Sequence, residues 1–239
     1  RFVKPDNYAE SFGMQWKKFN KTQLDSYSKI KVSYNRFWKA TDWSKYNLDK
    51  DLILDAGCGN GRFAEICLNS GAEVFCVDYS SSVDICHDNL RKYKNCHVIQ
   101  ADIINLPFNK KTFDKIYSLG VLQHTPNPSI AFSSLSNVLK NDGRICVDFY
   151  EKSIKSIFLP KYWLRPITTK LNQNLVLSIV KCVVPILFPI SRILGKLPFG
   201  HIIKRALPVA DPLYFYEMEY GKTNLKYKTA LEWSILDTF

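Results

Sequence analysis

The sequence contains no Cys-x-x-Cys pair, no internal repeat and no low-complexity tract. Seven cysteines, at positions 58, 67, 76, 86, 96, 146 and 182, are odd in number and lack paired spacing, which argues against a disulfide framework and against a zinc site. Most of them read as reduced core thiols of a cytoplasmic protein. No basic leader followed by an apolar run and a small-residue cleavage site is visible, and the first residue is Arg1, so the chain reads as a piece of a longer protein. Wholesale disorder is excluded, because 239 residues at 46% hydrophobic composition supply ample material for a core.

Negative charge is scarce at both ends. Residues 1–50 hold 11 basic against 5 acidic residues, residues 51–150 hold 9 against 11, and residues 151–239 hold 13 against 6. The net charge of +11 therefore sits in the flanks. Such a field attracts nucleic acid, anionic lipid or a phosphorylated small molecule alike, and it also serves plain solubility.

Three textures follow one another along the chain. The first fifty residues space Phe12, Trp16, Phe19 and Leu24 at near-helical intervals, which predicts polar, aromatic-rich helices. From residue 51, apolar runs that read as buried strands (52–56, 73–78, 96–102, 113–120 and 144–150) alternate with helical stretches near 61–70, 81–93 and 128–140. Gly143 is expected to close the last helix. That alternation predicts an α/β fold, a doubly wound and mostly parallel sheet with helices on both faces. After Tyr150 the alternation stops. Residues 154–210 are basic and apolar, and Pro185 and Pro189 are expected to break the run 175–194 into short helices rather than one long one. Lys181 and Arg192 in the same run argue against a membrane-spanning helix.

Residues 52–62, LILDAGCGNGR, concentrate three of the ten glycines of the chain. In a doubly wound sheet the ligand lies beyond the carboxyl ends of the strands, and glycine at the first strand-to-helix turn lets main-chain N–H groups come close to it. A dinucleotide fingerprint requires Gly-x-Gly-x-x-Gly, and here the third glycine, Gly61, comes one residue early.

The segment LDAGCGNG resembles the first motif of the class I S-adenosylmethionine-dependent methyltransferases. Further segments match that family in order. VDYSS places Asp78 at the end of the second strand, QADIINLPF places Asp102 and Ile103 after the third, FDKIYSLGVLQHTPNP is similar to a fourth-strand motif of the Val-Leu-His-His-x-x-Asp-Pro type, and LKNDGRICV is similar to the lead into the fifth strand. The resemblance implies a Rossmann-like sheet with N-terminal helices and a helical insertion after strand 5. Relatives continue into further strands, so the C-terminal strands are expected to be missing. The implied organisation is an N-terminal helical lid over 1–50, a cofactor-binding core over 51–150, an apolar-basic helical insertion over 151–212 that forms the acceptor pocket or else an oligomer or membrane contact, and the start of a truncated C-terminal part over 213–239.

The same resemblance implies S-adenosylmethionine as cofactor, with S-adenosylhomocysteine as product. The candidate binding residues are Asp55, Gly57, Cys58, Gly59, Asn60 and Gly61 of the glycine loop, Asp78, Tyr79 and Ser80 for the ribose, Asp102 and Ile103 for the adenine, Leu119 and Gly120 at the methionine end, and Gln15 and Trp16 as a lid. His124 is the candidate catalytic base and no metal is required. Each has a plainer reading: Asp55 and Asp78 as helix caps, Trp16 as core, His124 as a structural hydrogen-bonding group.

The expected activity is methyl transfer to a small-molecule, sugar or lipid-linked acceptor, anionic in one version. Alternatives are an RNA methyltransferase and a non-catalytic interaction module. An Asn/Asp-Pro-Pro-Tyr motif and a motif cysteine, which base methylation on an exocyclic amine or on cytosine carbon would call for, are both absent after the fourth strand. A homodimer through 154–210 and a peripheral contact with the inner membrane are further expectations for an otherwise cytoplasmic protein.

Overall fold

The structure, a computed structural model, describes residues 10–149, 160–168, 170–223 and 225–238. Tyr150, the first residues of the 151–212 insertion and Phe239 lie outside them. The chain divides into two compact units, one of residues 1–27 with 31–150 and one of residues 28–30 with 151–239.

The first unit begins with helices α1 (Glu10–Lys18), α2 (Asp25–Ser28) and α3 (Val32–Thr41). There follow β1 (Leu52–Ala56), α4 (Ala64–Asn69), β2 (Glu73–Asp78), α5 (Ser82–Leu90), β3 (Cys96–Gln100), β4 (Phe113–Ser118), α6 (Pro128–Val138) and β5 (Leu139–Val147). The strands form one sheet in the order β3-β2-β1-β4-β5, with every pairing parallel. This is the predicted doubly wound arrangement, and among the described residues the sheet has those five strands.

The alternation along β1 shows why this segment is a central strand. Ile53 faces a core with Phe37, Trp43, Phe63 and Tyr117, whereas Leu54 and Ala56 face a second core with Phe113, Ile116, Leu122 and Leu135. Asp55 shares the first face and stands in register with Tyr117 on β4. A strand apolar on both faces must lie between two helical layers.

One boundary differs from the sequence expectation. Helix α6 ends at Val138, and Lys140–Gly143 belong to an irregularity of β5, in which Phe113 pairs with Leu139 and Lys115 already pairs with Arg144. The edge position of β5 lets it carry extra residues that an interior strand could not accommodate.

The second unit contains α7 (Pro160–Thr168), α8 (Gln173–Leu194), α9 (Gly200–Ile203), α10 (Pro212–Tyr220) and α11 (Tyr227–Thr238). Its core joins Val180, Val184 and Phe188 of α8 to Leu213 and Ala230. Beside it the buried Lys204 bonds Asp211 at 2.6 Å with its ammonium over the Tyr214 ring. The predicted break at Pro185 and Pro189 does not occur, and α8 runs through both. Each proline removes one backbone donor at a cost of about 3 kcal/mol. Asn172 caps the first turn by accepting from the Asn174 amide, and the buried stripe of Val180, Val184 and Phe188 holds the helix on both sides of Pro185.

Candidate active site

The carboxyl ends of β1, β2 and β4 converge at the point where the chain order of the sheet reverses, and the motif residues converge with them. Gly57, Gly59 and Gly61 all have left-handed backbones, with φ of 93°, 53° and 85°. A β-carbon would collide with Val121 at Gly57, with Trp16 at Gly59 and with Leu90 and Cys86 at Gly61. The glycines are therefore demanded by the packing of the protein on its own loop as well as by the turn.

The amides of that loop point inward, which corrects the expectation that they face a ligand. Gly57 and Cys58 donate to the Val77 carbonyl at 2.7 and 3.0 Å, Gly59 donates to Asp78 Oδ2 at 3.0 Å, and Gly61 donates to the Cys58 carbonyl at 2.8 Å. Asn60 is wholly buried and ties the loop down: its side chain donates to the Asn20 carbonyl, and its own carbonyl accepts from Asn89.

Asp78 is held from three directions. Beside the Gly59 amide, its Oδ1 accepts from the Ser80 amide at 2.9 Å and from the Ser80 hydroxyl at 2.7 Å. Ser80 is fully buried and so positions the carboxylate rather than lining a cleft, while Tyr79 is buried beside it with its carbonyl bonded by Gln100. A carboxylate offers about four lone-pair sites, so three donors leave acceptor capacity in Asp78. Asp102 caps the short turn Ile103–Asn105 through the Ile104 amide, and Ile103 is buried in the core.

Asp55 is a buried and perturbed acid. It is 2% exposed, its Oδ2 is buried without a hydrogen-bond partner, and burial pushes its carboxyl well above the usual range against a smaller opposing effect of Tyr117. A buried acceptor in that condition fits the cationic amine of an amino-acid ligand, which supplies donors and charge together.

Helix α1 lies across this edge. Phe12 meets the His124 ring edge to face at 5.0 Å, a β-carbon on Gly13 would stand 2.4 Å from Ser81 Oγ, and Trp16 covers Gly59. Residues 12, 13 and 16 share one helical face, which is turned to this edge. Gln15 is half-buried on the same helix.

At the end of β4 the chain turns through Leu119, which is buried, and Gly120, with φ of 74°. The Gly120 amide donates to the Asp148 carboxylate, whose other oxygen lies 3.1 Å from Arg36 Nη2. His124 is exposed at the close of a short turn, Leu122–His124, and both polar atoms of the neighbouring Gln123 amide are buried without a partner. Sequence reasoning missed Phe12, Arg36, Gln123 and Asp148. Gln123 was within reach, since it stands where the resembling motif has a histidine.

A cavity of about 340 Å³ opens at the opposite, amino edge, lined by Asp51, Asp114, Lys115 and Lys140 among others. Two ion pairs lie within it, Lys115 on Asp51 and Lys140 on Asp114. Among the described residues no cluster of His, Cys, Asp and Glu could hold a metal ion.

Residues 54–147 match the family described as a methyltransferase domain. The tRNA U34 carboxymethyltransferase of Vibrio cholerae is 32% identical over 106 residues, which cover 42% of this chain and 32% of that protein. The ubiquinone biosynthesis O-methyltransferase of Glaesserella parasuis is 27% identical over 114 residues, 45% of this chain and 48% of that one. Among solved structures, geranyl diphosphate C-methyltransferase from Streptomyces coelicolor, crystallised with S-adenosyl-L-homocysteine, covers 48% of this chain and 45% of its own at 20% identity and a TM-score of 0.43. The chain spans less than half the length of the curated relatives it matches. Residues 54–147 thus form a methyltransferase domain.

Proposed function

We propose that this protein transfers a methyl group from S-adenosylmethionine to a small-molecule, sugar or lipid-linked acceptor. The observation that carries the reading is the Asp78 carboxylate, fixed by the Gly59 amide and Ser80 at the carboxyl edge of the sheet. The cofactor supplies an already activated sulfonium methyl, so what remains for the protein is alignment and removal of an acceptor proton.

In this reading Asp78 accepts from a ribose hydroxyl at the Oδ2 position that Gly59 leaves open, Asp102 and the Ile103 amide hold the adenine edge, and the buried Asp55 oxygen accepts from the methionine amine beside the loop of Gly57 to Gly61. Gly120 and Leu119 shape the methionine end, with Asp148 and Arg36 holding Gly120 in place. Trp16 and Gln15 close the site from α1. His124 takes the acceptor's proton at a ring nitrogen, and the Gln123 amide contacts the acceptor. The protein works in the cytoplasm, reaching lipid-linked material from the membrane surface.

A second reading, methylation of RNA, is favoured by relatives named as tRNA U34 carboxymethyltransferases and by the net charge of +11. One experiment separates the two. The protein is incubated with methyl-labelled cofactor and, in parallel, with phosphorylated sugars, lipid-linked saccharides, quinone-like acceptors and bulk tRNA. Label in one of the first three classes supports the main reading. Label in tRNA alone replaces it, and failure to bind cofactor by calorimetry overturns both.

A further inference from the structure

Between residues 152 and 210 the sequence carries ten Lys and Arg residues and not one Asp or Glu. Helix α8 lies within that stretch and is apolar on two opposite faces. Leu177, Val180, Val184 and Phe188 are buried, the last three in the core of the second unit. On the other side Leu175, Ile179, Val183, Ile186, Ile190 and Ile193 are each 37 to 65% exposed. Their spacing of three and four residues draws one continuous seam along the helix. Scattered exposed apolar residues need no explanation, but a contiguous seam marks a surface that binds something.

The charge decides the occupant. A second copy would set the exposed cations of this stretch against their own kind, whereas an anionic bilayer supplies both the opposite charge and an apolar layer. Exposed cations stand at both ends of the seam, Lys170 before α8 and Lys196 and Arg205 after it. Exposed Phe199 and Ile202 follow the helix and extend its apolar surface.

Helix α8 is long and apolar enough to span a membrane. Spanning would strip its inner face from Leu213 and Ala230, and would drag Arg192 away from Glu217, 2.9 Å distant, and from Asp211. Lying flat keeps all of these contacts. We propose that the second unit docks on an anionic membrane with α8 parallel to the surface, its outer seam sunk to the boundary of headgroups and acyl chains and Lys170, Lys196 and Arg205 on the lipid phosphates. Docking of this face is independent of which acceptor is methylated, and cofactor binding in solution reports on the catalytic reading alone.

The test is sedimentation of the whole chain with vesicles of phosphatidylcholine containing about one-quarter phosphatidylglycerol, beside vesicles of phosphatidylcholine alone. Binding to the anionic vesicles is expected to be at least about tenfold stronger and to weaken as salt is raised. The double variant Ile186→Asp/Ile193→Asp places two charges on the seam without touching the core. It is expected to lose about tenfold or more in vesicle binding while binding cofactor as before. Equal partition onto neutral vesicles, or full binding by the double variant, overturns the proposal. So does resistance of the bound protein to carbonate extraction, which means spanning, and so does a dimer that Ile186→Asp dissolves, which means that a second copy covers the seam.

Discussion

The indole Nε1 of Trp16 stands 2.9 Å from the point where a β-carbon on Gly59 would lie. Helix α1 and the glycine loop thus share a surface that closes only over a residue without a side chain. At Gly59 the backbone also has φ of 53°, where an L-residue costs about 1–2 kcal/mol. Gly59→Val is expected to remain folded and to bind S-adenosylmethionine at least about 100-fold more weakly. Adding Trp16→Ala to Gly59→Ala relieves the overlap but not the backbone, so that pair recovers part of the affinity relative to Gly59→Ala. Calorimetric titration of the set checks both statements, and normal affinity in Gly59→Val contradicts them.

Asp78 organises the loop as well as the proposed ribose site. Asp78→Ala removes the acceptor for the Gly59 amide and for both Ser80 donors. The expected loss of cofactor affinity is about 2 kcal/mol or more, or roughly 30-fold. Ser80→Ala removes one of the three bonds and is expected to lose less. Unchanged calorimetric binding in Asp78→Ala removes the assignment.

Asp55 carries a pH signature. Burial raises its folded-state pKa, so folding takes up a proton there. The penalty for holding this acid inside is absent below its unfolded pKa of about 4, grows as pH rises through the folded pKa, and is complete above it. Asp55→Asn is therefore expected to raise the melting temperature near neutral pH, with little gain at pH about 4. The same change weakens cofactor binding by removing the negative acceptor. Thermal melts across that range decide it, and a variant less stable than the parent at neutral pH goes against the reading.

For His124 the expected result is a separation of rate from binding. His124→Ala is expected to lower turnover about 100-fold or more with cofactor affinity nearly intact. If binding and rate fall together, the ring is holding Phe12 and α1 in place, and its role is structural.

The strands 52–56 and 73–78 were legible to the residue, because an apolar run that ends in an acid or a glycine turn has few other places to go. Gly143 misled because a Lys-Asn-Asp-Gly segment after a helix reads as its stop, whereas here it is absorbed by the edge strand β5. Pro185 and Pro189 misled because local propensity is outweighed once Val180, Val184 and Phe188 pack into a core. Phe188 is 1% exposed within that core, so its replacement by a polar residue is expected to unfold the unit. The inward turn of the loop amides, and the link from Arg36 to Asp148 across 112 residues, are tertiary facts for which no local pattern exists.

The division of hydrophobic residues between the cores of the sheet unit and the separate core around Val184 and Phe188 has a calorimetric consequence. Heat uptake on melting is expected in two steps instead of one. Saturating cofactor raises only the step that belongs to the sheet, in proportion to the logarithm of its concentration over the dissociation constant. Val184→Asp is expected to lower the step that cofactor does not shift, which assigns that step to the core around Val184 and Phe188.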